Sequence, residues 1–541
     1  MKDISSTGSF VDFTLENFIY VDKTVYIPQL VKLKRVFISR PRRFGKSLTL
    51  DTIATLFETG VEPYFKGTWI YDKWTEPTYP VLRLNFLNFD KNSLEKFNNK
   101  LNSKITEFAE LNQVTTYKEK EEAEDSIDHL LEQLRLEGRQ IVILIDEYDC
   151  QMTANINNET LYKQFQEKIK SFYANIKDKF AIKFLGITGV TRLKDVSIFS
   201  VGSDINDITN ASAYSQMIGF TRDEIKKYYI DYLKLASSYE NNCSVDDVTD
   251  TQLESMLDMM AQNYDGYCFD EDYEKKVFST WSVNKFFQTM IEKKKVQFGE
   301  YWYDNGGLPS ILVNYLKTHE LNIFEYLDKD KFLKVSSDDF KNPTALTTIN
   351  QNVLMCQTGY LTLRSDLNKT STVALGIPNG EIYKALNRLL ANNIFKGNTD
   401  ITDDYGRSLL EVGTVDDIIN LFNSALNSVS YDNYPIVSES SVQNMLKLYL
   451  LGAHQKVLSE VHEAKGRADL VVNTDNRRIV FEFKYAKNET EAKSKLHDAV
   501  EQIKTRDYGN ILPKKHELLR IAAVFNADPK VRAFTENQIV P

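Results

Sequence analysis

The chain has 541 residues, a length that predicts about three domains at roughly 100–200 residues each. Hydrophobic residues make up 42% and charged residues 26% of the sequence, which are ordinary globular values and exclude a disordered chain. The net charge of -10 and the pI of about 5.4 argue against a protein that coats nucleic acid through its overall charge.

The cysteines and the N-terminal segment bear on the cellular location. Cys150, Cys243, Cys268 and Cys356 lie far apart in the sequence, which excludes a disulfide framework and a structural zinc site. The first twenty residues contain no continuous apolar run, and no window reaches the length of a membrane span. We therefore expect a soluble cytoplasmic protein with no membrane partner.

The first two hundred residues alternate between apolar runs and helical patterns. The predicted strands are 36–39, 79–86, 140–147 and 181–188, with two amphipathic helices between residues 90 and 139 and another helix at 161–176. Short apolar strands that alternate with helices predict a parallel, doubly wound sheet covered on both faces.

A phosphate-binding loop follows the first predicted strand. Gly45, Lys46 and Ser47 stand between that strand and a helical pattern, as in the motif G-x-x-x-x-G-K-[ST]. Arg40 replaces the leading glycine of the motif. We predict that the loop residues Arg43, Phe44, Gly45, Lys46 and Ser47 bind the phosphates of ATP and that the Ser47 hydroxyl binds Mg²⁺.

Polar residues at the ends of two later strands complete this site. Asp146 is predicted to hold Mg²⁺ and Glu147 to activate the attacking water, whereas the alternative is a solvated strand end. Thr188 and Arg192 follow the next strand and are predicted to sense the γ-phosphate. For Arg192, a surface or domain-contact salt bridge is an equally weighted alternative.

A second constellation lies near the C-terminus, where a helix is predicted at 442–451 and two strands at 468–472 and 478–484. Asp469 lies on the first strand, and Glu482 and Lys484 share one face of the second because side chains two residues apart do so. Two carboxylates that hold a divalent cation, with a nearby lysine, can hydrolyse a phosphodiester. The alternative is a surface hairpin with a cross-strand acid–lysine pair.

Flanking residues extend this constellation. Glu460 lies upstream and is predicted to add a third metal-binding carboxylate, with a solvated strand end as the alternative. Gln502 lies on a predicted helix at 491–505, with Tyr508 just beyond it. From residue 430 onward about 17 Lys and Arg face about 15 Asp and Glu, so this region is the least acidic part of the chain.

Six segments carry a family resemblance: Tyr20-Val-Asp-Lys-Thr24, Arg40-Pro-Arg-Arg-Phe-Gly-Lys-Ser47, Leu144-Ile-Asp-Glu-Tyr-Asp149, Gly186-Ile-Thr-Gly-Val-Thr-Arg192, Tyr264-Asp-Gly-Tyr267 and Pro378-Asn-Gly-Glu381. Together with the C-terminal constellation they resemble the bacterial AAA-ATPase-like family that carries a C-terminal PD-(D/E)XK nuclease domain. The resemblance implies that Arg40 is a family trait and that the Gln502–Tyr508 spacing is the last nuclease motif.

The resemblance and the residues together predict an α/β multidomain protein. The expected parts are an AAA-like P-loop ATPase domain at 1–220 with a parallel sheet and helices, a helical lid at 221–330, a mixed helical connector at 331–430, and a restriction-endonuclease-like α/β domain at 431–541. The last domain is the predicted PD-(D/E)XK nuclease.

The predicted activity is an ATPase coupled to a metal-dependent endo- or exonuclease. The catalytic residues would be Glu147, Asp469, Glu482, Lys484 and Gln502. ATP and Mg²⁺ are the expected cofactors, with Mn²⁺ as a second candidate at the nuclease site, and DNA is the expected partner ahead of RNA. A homo-oligomer is left open. The competing hypothesis is a nucleotide-dependent switch whose C-terminal domain binds nucleic acid or protein without cutting it.

Overall fold

The computed structural model describes the chain except for residues 177–178, 194–204, 305–309, 317–318, 320–322, 344, 369–370, 396–404, 454, 464–465 and 510–515. The chain divides into two compact units. The first comprises Met1–Leu321 and Asp330–Ile382, and the second comprises Asn322–Lys329 and Tyr383–Pro541. Within the described residues, no helix combines the length and the apolar character that crossing a bilayer requires.

The first unit is built around a five-stranded parallel sheet. Its strands are β1 (Arg35–Ser39), β2 (Val81–Asn85), β3 (Ile141–Asp146), β4 (Ile182–Gly189) and β5 (Asn206–Asp207). They lie in the order β2-β3-β4-β1-β5, and each pair is parallel. Every residue of β3 is buried, as expected for a central strand covered on both faces. The predicted doubly wound sheet is confirmed.

Helices pack around this sheet and form the region that follows it. They are α1 (Phe10–Leu15), α2 (Ile27–Leu33), α3 (Lys46–Thr59), α4 (Leu94–Leu111), α5 (Ala123–Leu136), α6 (Cys150–Ala154), α7 (Glu159–Ile176), α8 (Arg222–Tyr228), α9 (Ile230–Asn241), α10 (Asp250–Tyr264), α11 (Thr280–Lys293), α12 (Tyr301–Asp304), α13 (Ser310–Leu316), α14 (Ser337–Lys341) and α15 (Gln351–Gln357). The helices α8 to α11 enclose an apolar core rich in Tyr, Phe and Met, so the helical middle region is confirmed.

A small antiparallel sheet lies in the last part of the sequence that belongs to the first unit. Its strands are β6 (Leu333–Ser336), β7 (Thr362–Leu363) and β8 (Thr372–Gly376), in the antiparallel order β6-β8-β7. The strand β6 lies in a stretch whose sequence carries only helical texture, because four residues are too few to display an alternation of apolar and polar side chains.

The second unit is a mixed sheet flanked by helices. Its helices are α16 (Gly380–Ile394), which begins in the first unit, α17 (Tyr405–Val412), α18 (Val415–Asn427), α19 (Glu439–Gly452) and α20 (Glu489–Arg506). Its strands are β9 (Lys456–Glu463), β10 (Gly466–Asn473), β11 (Arg477–Ala486), β12 (Glu517–Asn526) and β13 (Ala533–Ile539). The order is β13-β12-β11-β10-β9, with β11 and β12 parallel and the other neighbours antiparallel. The predicted C-terminal α/β domain is confirmed.

Candidate functional sites

The loop between β1 and α3 has the geometry of an anion site. Gly45 has a φ of 105°, in the left-handed region that favours glycine. The helix α3 begins at the next residue, Lys46. Because the first turn of a helix leaves its backbone N–H groups unpaired, the loop presents donors and a partial positive charge to an anion.

Arg40, in the place of the leading glycine, is a buried structural residue. Its side chain is 1% exposed and donates to the carbonyl oxygens of Ser39 at 2.9 Å and Thr209 at 2.6 Å. The guanidinium carbon lies 4.2 Å from the centre of the Phe269 ring. Burial lowers the pKa of Arg40 to about 9. Arg40 therefore holds the start of the loop in place through these contacts with the protein interior.

The side chains of Arg43 and Phe44 turn toward the helical part of the first unit. Arg43 donates to the carbonyl oxygens of Tyr301 at 3.3 Å and Trp302 at 3.1 Å. Phe44 packs edge-on against Tyr267, with 4.7 Å between the ring centres. These side chains anchor the loop, and a phosphate-binding role for Arg43 and Phe44 stays a prediction that rests on their backbone N–H groups.

The Lys46 ammonium lies at the centre of the loop. It donates to the carbonyl oxygens of Arg40 at 3.1 Å and Pro41 at 3.3 Å. Its Nζ lies 3.6 Å from Oε1 of Glu147, and its side chain is 4% exposed. The loop thus holds a buried cation at the place where a phosphate would lie against the N-terminus of α3.

Asp146 joins three elements through its carboxylate. The Ser47 hydroxyl, in the first turn of α3, donates to Oδ2 of Asp146 at 2.6 Å. The Thr188 hydroxyl, near the end of β4, donates to Oδ1, and the backbone N–H of Glu147 donates to the same oxygen at 3.0 Å. The structure therefore brings Ser47, Asp146 and Thr188 together. Hydroxyl and carboxylate oxygens are the ligands that suit Mg²⁺.

Glu147 combines a strained backbone with a perturbed carboxyl group. Its φ of 53° lies in the left-handed region, which is costly for a residue other than glycine and is found at functional sites. Burial raises the pKa of Glu147, while the Lys46 ammonium opposes this shift. A carboxylate with a raised pKa is a better proton acceptor than an ordinary one.

Asp149 is a member of this region whose role the sequence did not reveal. Its side chain is 1% exposed, and Oδ2 accepts hydrogen bonds from both the backbone N–H and the hydroxyl of Thr191 at 2.6 Å. Asp149 thereby ties the segment after β3 to the segment after β4. Its position in the motif Leu144–Asp149 was the available signal.

Arg192 lies close to this region, but its side chain is engaged elsewhere. Its guanidinium forms an ion pair with Asp207 on β5. Its backbone N–H donates to the side chain of Gln357 at 3.2 Å, and its carbonyl accepts from that side chain at 3.1 Å. This arrangement matches the salt-bridge alternative, and contact of Arg192 with a nucleotide stays a prediction.

A cavity of about 530 Å³ opens beside the loop. Lys46, Ser47 and Glu147 line one side of it. Apolar side chains form much of the rest, namely Ile19, Val21, Ile27, Leu30, Met217 and Phe220. A charged end for phosphates and an apolar end for a base are the two features that a nucleotide pocket requires.

In the second unit, Asp469 is fixed on β10 by contacts with two neighbouring elements. Its Oδ2 accepts a hydrogen bond from the backbone N–H of Phe483 on β11 at 2.8 Å. Its backbone carbonyl accepts one from the side chain of Gln443 on α19 at 2.5 Å. The carboxylate therefore lies where β10, β11 and α19 meet.

Glu482 and Lys484 form a buried ion pair on β11. Nζ of Lys484 lies 2.7 Å from Oε1 of Glu482, whose side chain is 0% exposed. Burial and the nearby Asp469 carboxylate raise the pKa of Glu482 to about 7, although Lys484 acts in the opposite direction. Burial alone would lower the pKa of Lys484, but the surrounding carboxylates outweigh it and the pKa is raised.

Glu439 is a third carboxylate that sequence reasoning missed. Oxygen atoms of Glu439, Asp469 and Glu482 lie within 4.8 Å of one another, and Oε1 of Glu439 lies 3.3 Å from Nζ of Lys484. The predicted helix began at residue 442, whereas α19 begins at Glu439. Ser438, the N-cap that accepts a hydrogen bond from the Ser441 N–H, was the signal for the earlier start.

Glu460, the carboxylate predicted from the sequence, lies on β9. Its neighbours Ser459 and Val461 pair with Leu470 and Ala468 on β10, so the backbone of Glu460 lies beside that of Asp469. The side chain of Glu460 lies outside the residues that the structure describes. Its part in a metal site stays a prediction.

Gln502 meets Tyr508 at the end of α20. The Gln502 amide donates to the Tyr508 hydroxyl at 3.4 Å, and the Arg506 guanidinium donates to the same hydroxyl at 2.9 Å. Tyr508 is fully buried. The arrangement explains the Gln-x5-Tyr spacing structurally, and a catalytic role for Gln502 stays a prediction.

The residues present at this site fit a divalent cation. Oε2 of Glu482 is buried and accepts no hydrogen bond from any described residue. A buried carboxylate oxygen without a donor is costly, and a bound cation would satisfy it. An all-oxygen donor set suits Mg²⁺ and Mn²⁺.

Two family models match the regions that contain these sites. A family model described as "Predicted AAA-ATPase" matches residues 5–199, and a model of the PD-(D/E)XK nuclease superfamily matches residues 437–534. A protein of Azotobacter chroococcum mcd 1, described as "Uncharacterized protein in vnfD 5'region", is 26% identical over 533 residues, which cover 95% of this chain and 94% of the relative.

Among solved structures, Cdc6p from Pyrobaculum aerophilum matches with 10% identity and a TM-score of 0.21 over 68% of this chain and 91% of its own. The ORC2 protein of Aeropyrum pernix, in ADPNP-ADP complexes, matches with 11% identity and a TM-score of 0.25 over 67% and 91%. Structural similarity at this level supports no conclusion about this chain. The two family models support one: the chain carries an AAA-ATPase-like domain at its N-terminus and a PD-(D/E)XK nuclease superfamily domain at its C-terminus.

Proposed function

We propose that the protein hydrolyses ATP in its N-terminal domain and cleaves the phosphodiester backbone of DNA in its C-terminal domain. In the N-terminal site, Lys46 and the N–H groups at the start of α3 bind the phosphates. Ser47 and Asp146 would hold Mg²⁺, while Thr188 keeps the Asp146 carboxylate in position. Glu147 accepts a proton from the attacking water, a task suited to its raised pKa.

In the C-terminal site, Glu439, Asp469 and Glu482 would hold the metal ion. When bound, Mg²⁺ or Mn²⁺ supplies Lewis-acid activation of the scissile phosphate and of a water molecule. Lys484, held by Glu482 at 2.7 Å and by Glu439 at 3.3 Å, orients the water or stabilises the charge that develops on the phosphate.

One observation carries the nuclease proposal. Oxygen atoms of three carboxylates lie within 4.8 Å of one another, and Lys484 pairs with two of them, Glu482 at 2.7 Å and Glu439 at 3.3 Å. One buried oxygen of Glu482 lacks a hydrogen-bond donor within the described residues. A cross-strand acid–lysine pair on a surface hairpin needs neither burial nor two further acids. The combination therefore supports a metal-dependent nuclease site.

A second candidate function is a nucleotide-dependent switch whose C-terminal domain binds nucleic acid or protein without cleaving it. A site that had lost its activity would have no chemical reason to keep three carboxylates and a lysine. Cleavage therefore fits the residues better than binding alone.

The nuclease proposal is tested by incubating the purified full chain with linear, circular and single-stranded DNA and with RNA, with and without Mg²⁺, Mn²⁺ and ATP. We expect cleavage of DNA that requires the metal and disappears in Asp469→Ala, while that variant still binds ATP. Metal-independent cleavage, or cleavage retained in Asp469→Ala, would reject the assignment. Binding of DNA without cleavage under every condition would favour the switch.

The ATPase proposal is tested separately by measuring phosphate release from ATP. Wild type should release phosphate and Lys46→Ala should not. The matched control is Lys100→Ala, which removes an exposed lysine on α4. Equal rates in wild type and Lys46→Ala would contradict the assignment of the loop.

A further inference from the structure

A second large cavity of the first unit lies at the opposite end of the parallel sheet from the phosphate loop. Its volume is about 660 Å³. Its wall includes Arg35, the first residue of β1, Ile182, the first residue of β4, and Gln140, which precedes β3. Since β1 has 5 residues and a strand rises about 3.3 Å per residue, roughly 16 Å separates this cavity from the phosphate loop. It is therefore a separate site.

The wall of this cavity is strongly cationic. Among the described residues, the cationic side chains that line it are Lys32, Lys34, Arg35, Lys73, Lys179 and Lys183, and the carboxylate is that of Glu76. The chain as a whole has 66 Lys and Arg against 76 Asp and Glu. A concave wall with this sign of charge concentrates anions against the overall field of the protein.

Part of this charge is neutralised and part is available. Lys183 pairs with Glu76 at 2.7 Å, and Lys179 pairs with Asp128 at 2.5 Å. Lys32 and Lys34 are exposed and form no ion pair with any described residue. The cavity therefore offers cations that solvent and ligand can reach.

Aromatic side chains accompany these cations. Phe180 lines the cavity and is 67% exposed. Trp69, which is 41% exposed, lies next to one of these cations, since the Lys73 ammonium is 4.6 Å from the Trp69 ring. Cations combined with exposed rings are the pattern by which proteins bind single strands.

We propose that this cavity, the basic groove, binds the phosphate backbone of a single-stranded nucleic acid, with a base stacked on Phe180. Its volume lies in the range of pockets that enclose small ligands, so it has room for the phosphate and base of a short single-stranded segment. The groove would hold a strand on the ATPase unit, in addition to any contact made by the nuclease domain. The proposal takes from the proposed function only that the protein meets nucleic acid.

The test measures binding without cleavage. Full-length protein carrying Asp469→Ala is titrated, in chelator and without divalent metal, against a fluorescein-labelled single-stranded 20-mer of dT at salt concentrations from about 50 to 200 mM. The variant adds K32E, K34E and K73E, three exposed positions of the groove. We expect at least about tenfold weaker binding and a log–log salt dependence shallower by about 2, since each lost contact removes roughly 0.7.

Matched controls separate the groove from general charge. K100E, K234E and K295E make the same charge change at exposed lysines outside the groove. Phe180→Ala should weaken binding roughly 5- to 150-fold through lost stacking. Phe332→Ala removes a ring that is 57% exposed elsewhere and should leave the affinity unchanged. Far-UV circular dichroism and thermal unfolding report that each variant is folded.

The outcomes are distinct from those of the proposed function. Equal losses in the groove and control lysine variants, or an unchanged affinity in both the lysine and the Phe180 variants, would overturn the groove as a binding site. Absence of 20-mer binding by the parent Asp469→Ala protein would overturn the nucleic-acid proposal. Failure of the cleavage assay would leave this result standing, because binding is read in a variant that lacks Asp469.

Discussion

The two acidic sites of this protein satisfy their carboxylates in different ways. Asp146 accepts hydrogen bonds from the Ser47 and Thr188 hydroxyls and from a backbone N–H. Glu482 has one oxygen on Lys484 and another that is buried without a donor among the described residues. The P-loop carboxylate is thus held by hydrogen bonds, whereas the C-terminal site keeps a buried carboxylate oxygen without a donor among the described residues.

This difference indicates that a metal ion would have different effects at the Asp146 and Glu482 sites. At Asp146 the protein already supplies partners, so metal binding exchanges one set of contacts for another. At Glu482 two further carboxylates lie within 4.8 Å, so metal binding relieves repulsion and adds stability.

The largest effect is expected from removing one essential group at each site. Asp469→Ala should lower the DNA cleavage rate on the order of 10³-fold, because the metal loses a ligand, and should spare ATP hydrolysis. Lys46→Ala should lower ATP hydrolysis by about 10²–10³-fold through loss of the phosphate-binding cation. Single-turnover cleavage and phosphate release measure these losses. A variant that fails in neither assay would remove its residue from the mechanism.

The next effect is a pH dependence of stability at the nuclease site. An unfolded Glu has a pKa of about 4.3, whereas that of buried Glu482 is raised to about 7. Because the folded state holds the proton more tightly, stability is greatest below a pH of about 4.3 and falls by about 4 kcal/mol as the pH rises from there through 7. Hydrogen exchange of β11 amides in metal-free buffer, corrected for intrinsic rates, measures this loss.

The control for the pH experiment is Glu482→Gln, which cannot ionise and should flatten the dependence. Addition of Mg²⁺ at pH 8 should restore the stability of wild type but not of this variant. A wild-type profile as flat as that of Glu482→Gln would show that the buried carboxylate is not electrostatically strained.

A smaller effect is expected from Glu439→Gln. Loss of one of three carboxylates should weaken the metal site and reduce cleavage by about 10–100-fold, with partial recovery at higher Mg²⁺. Metal-dependent cleavage curves measure this shift. Glu460→Gln is the comparison variant on β9, and a larger loss there than in Glu439→Gln would move the third ligand from α19 to β9.

The smallest effect is expected at the P-loop site. Thr188→Val removes one of the hydrogen bonds to Asp146, worth about 0.5–1.5 kcal/mol, and should reduce ATP hydrolysis by roughly 2- to 12-fold. Steady-state phosphate release is sufficient to see it. A loss as large as that of Lys46→Ala would indicate that Thr188 contacts the nucleotide directly.

Much of this organisation could be predicted from the sequence because the strands of the parallel sheet are buried on both faces. Continuous buried runs such as Ile141–Asp146 can be recognised in the sequence for that reason, and the candidate site residues follow from where such runs end. The spacing of Glu482 and Lys484 likewise predicts that they lie together, since side chains two residues apart on a strand share a face.

Other features depend on contacts between segments distant in sequence. Glu439 reaches the nuclease site because α19 packs beside β10, a contact that Gln443 makes and that no local pattern reveals. The partner of Arg192, Asp207 on β5, follows from the order of strands in the sheet. The basic groove collects its cations from the end of α2, the starts of β1 and β4 and a loop, so no single sequence window contains all of them.

The central claim is that one chain contains two separate hydrolytic sites. The most direct test measures ATP hydrolysis and DNA cleavage side by side in wild type, Lys46→Ala, Glu482→Gln and the double variant, with Mg²⁺ present. We expect Lys46→Ala to abolish ATP hydrolysis and Glu482→Gln to abolish cleavage while retaining ATP hydrolysis. Cleavage that persists in Glu482→Gln, or ATP hydrolysis that is lost with it and retained in Lys46→Ala, would contradict the account.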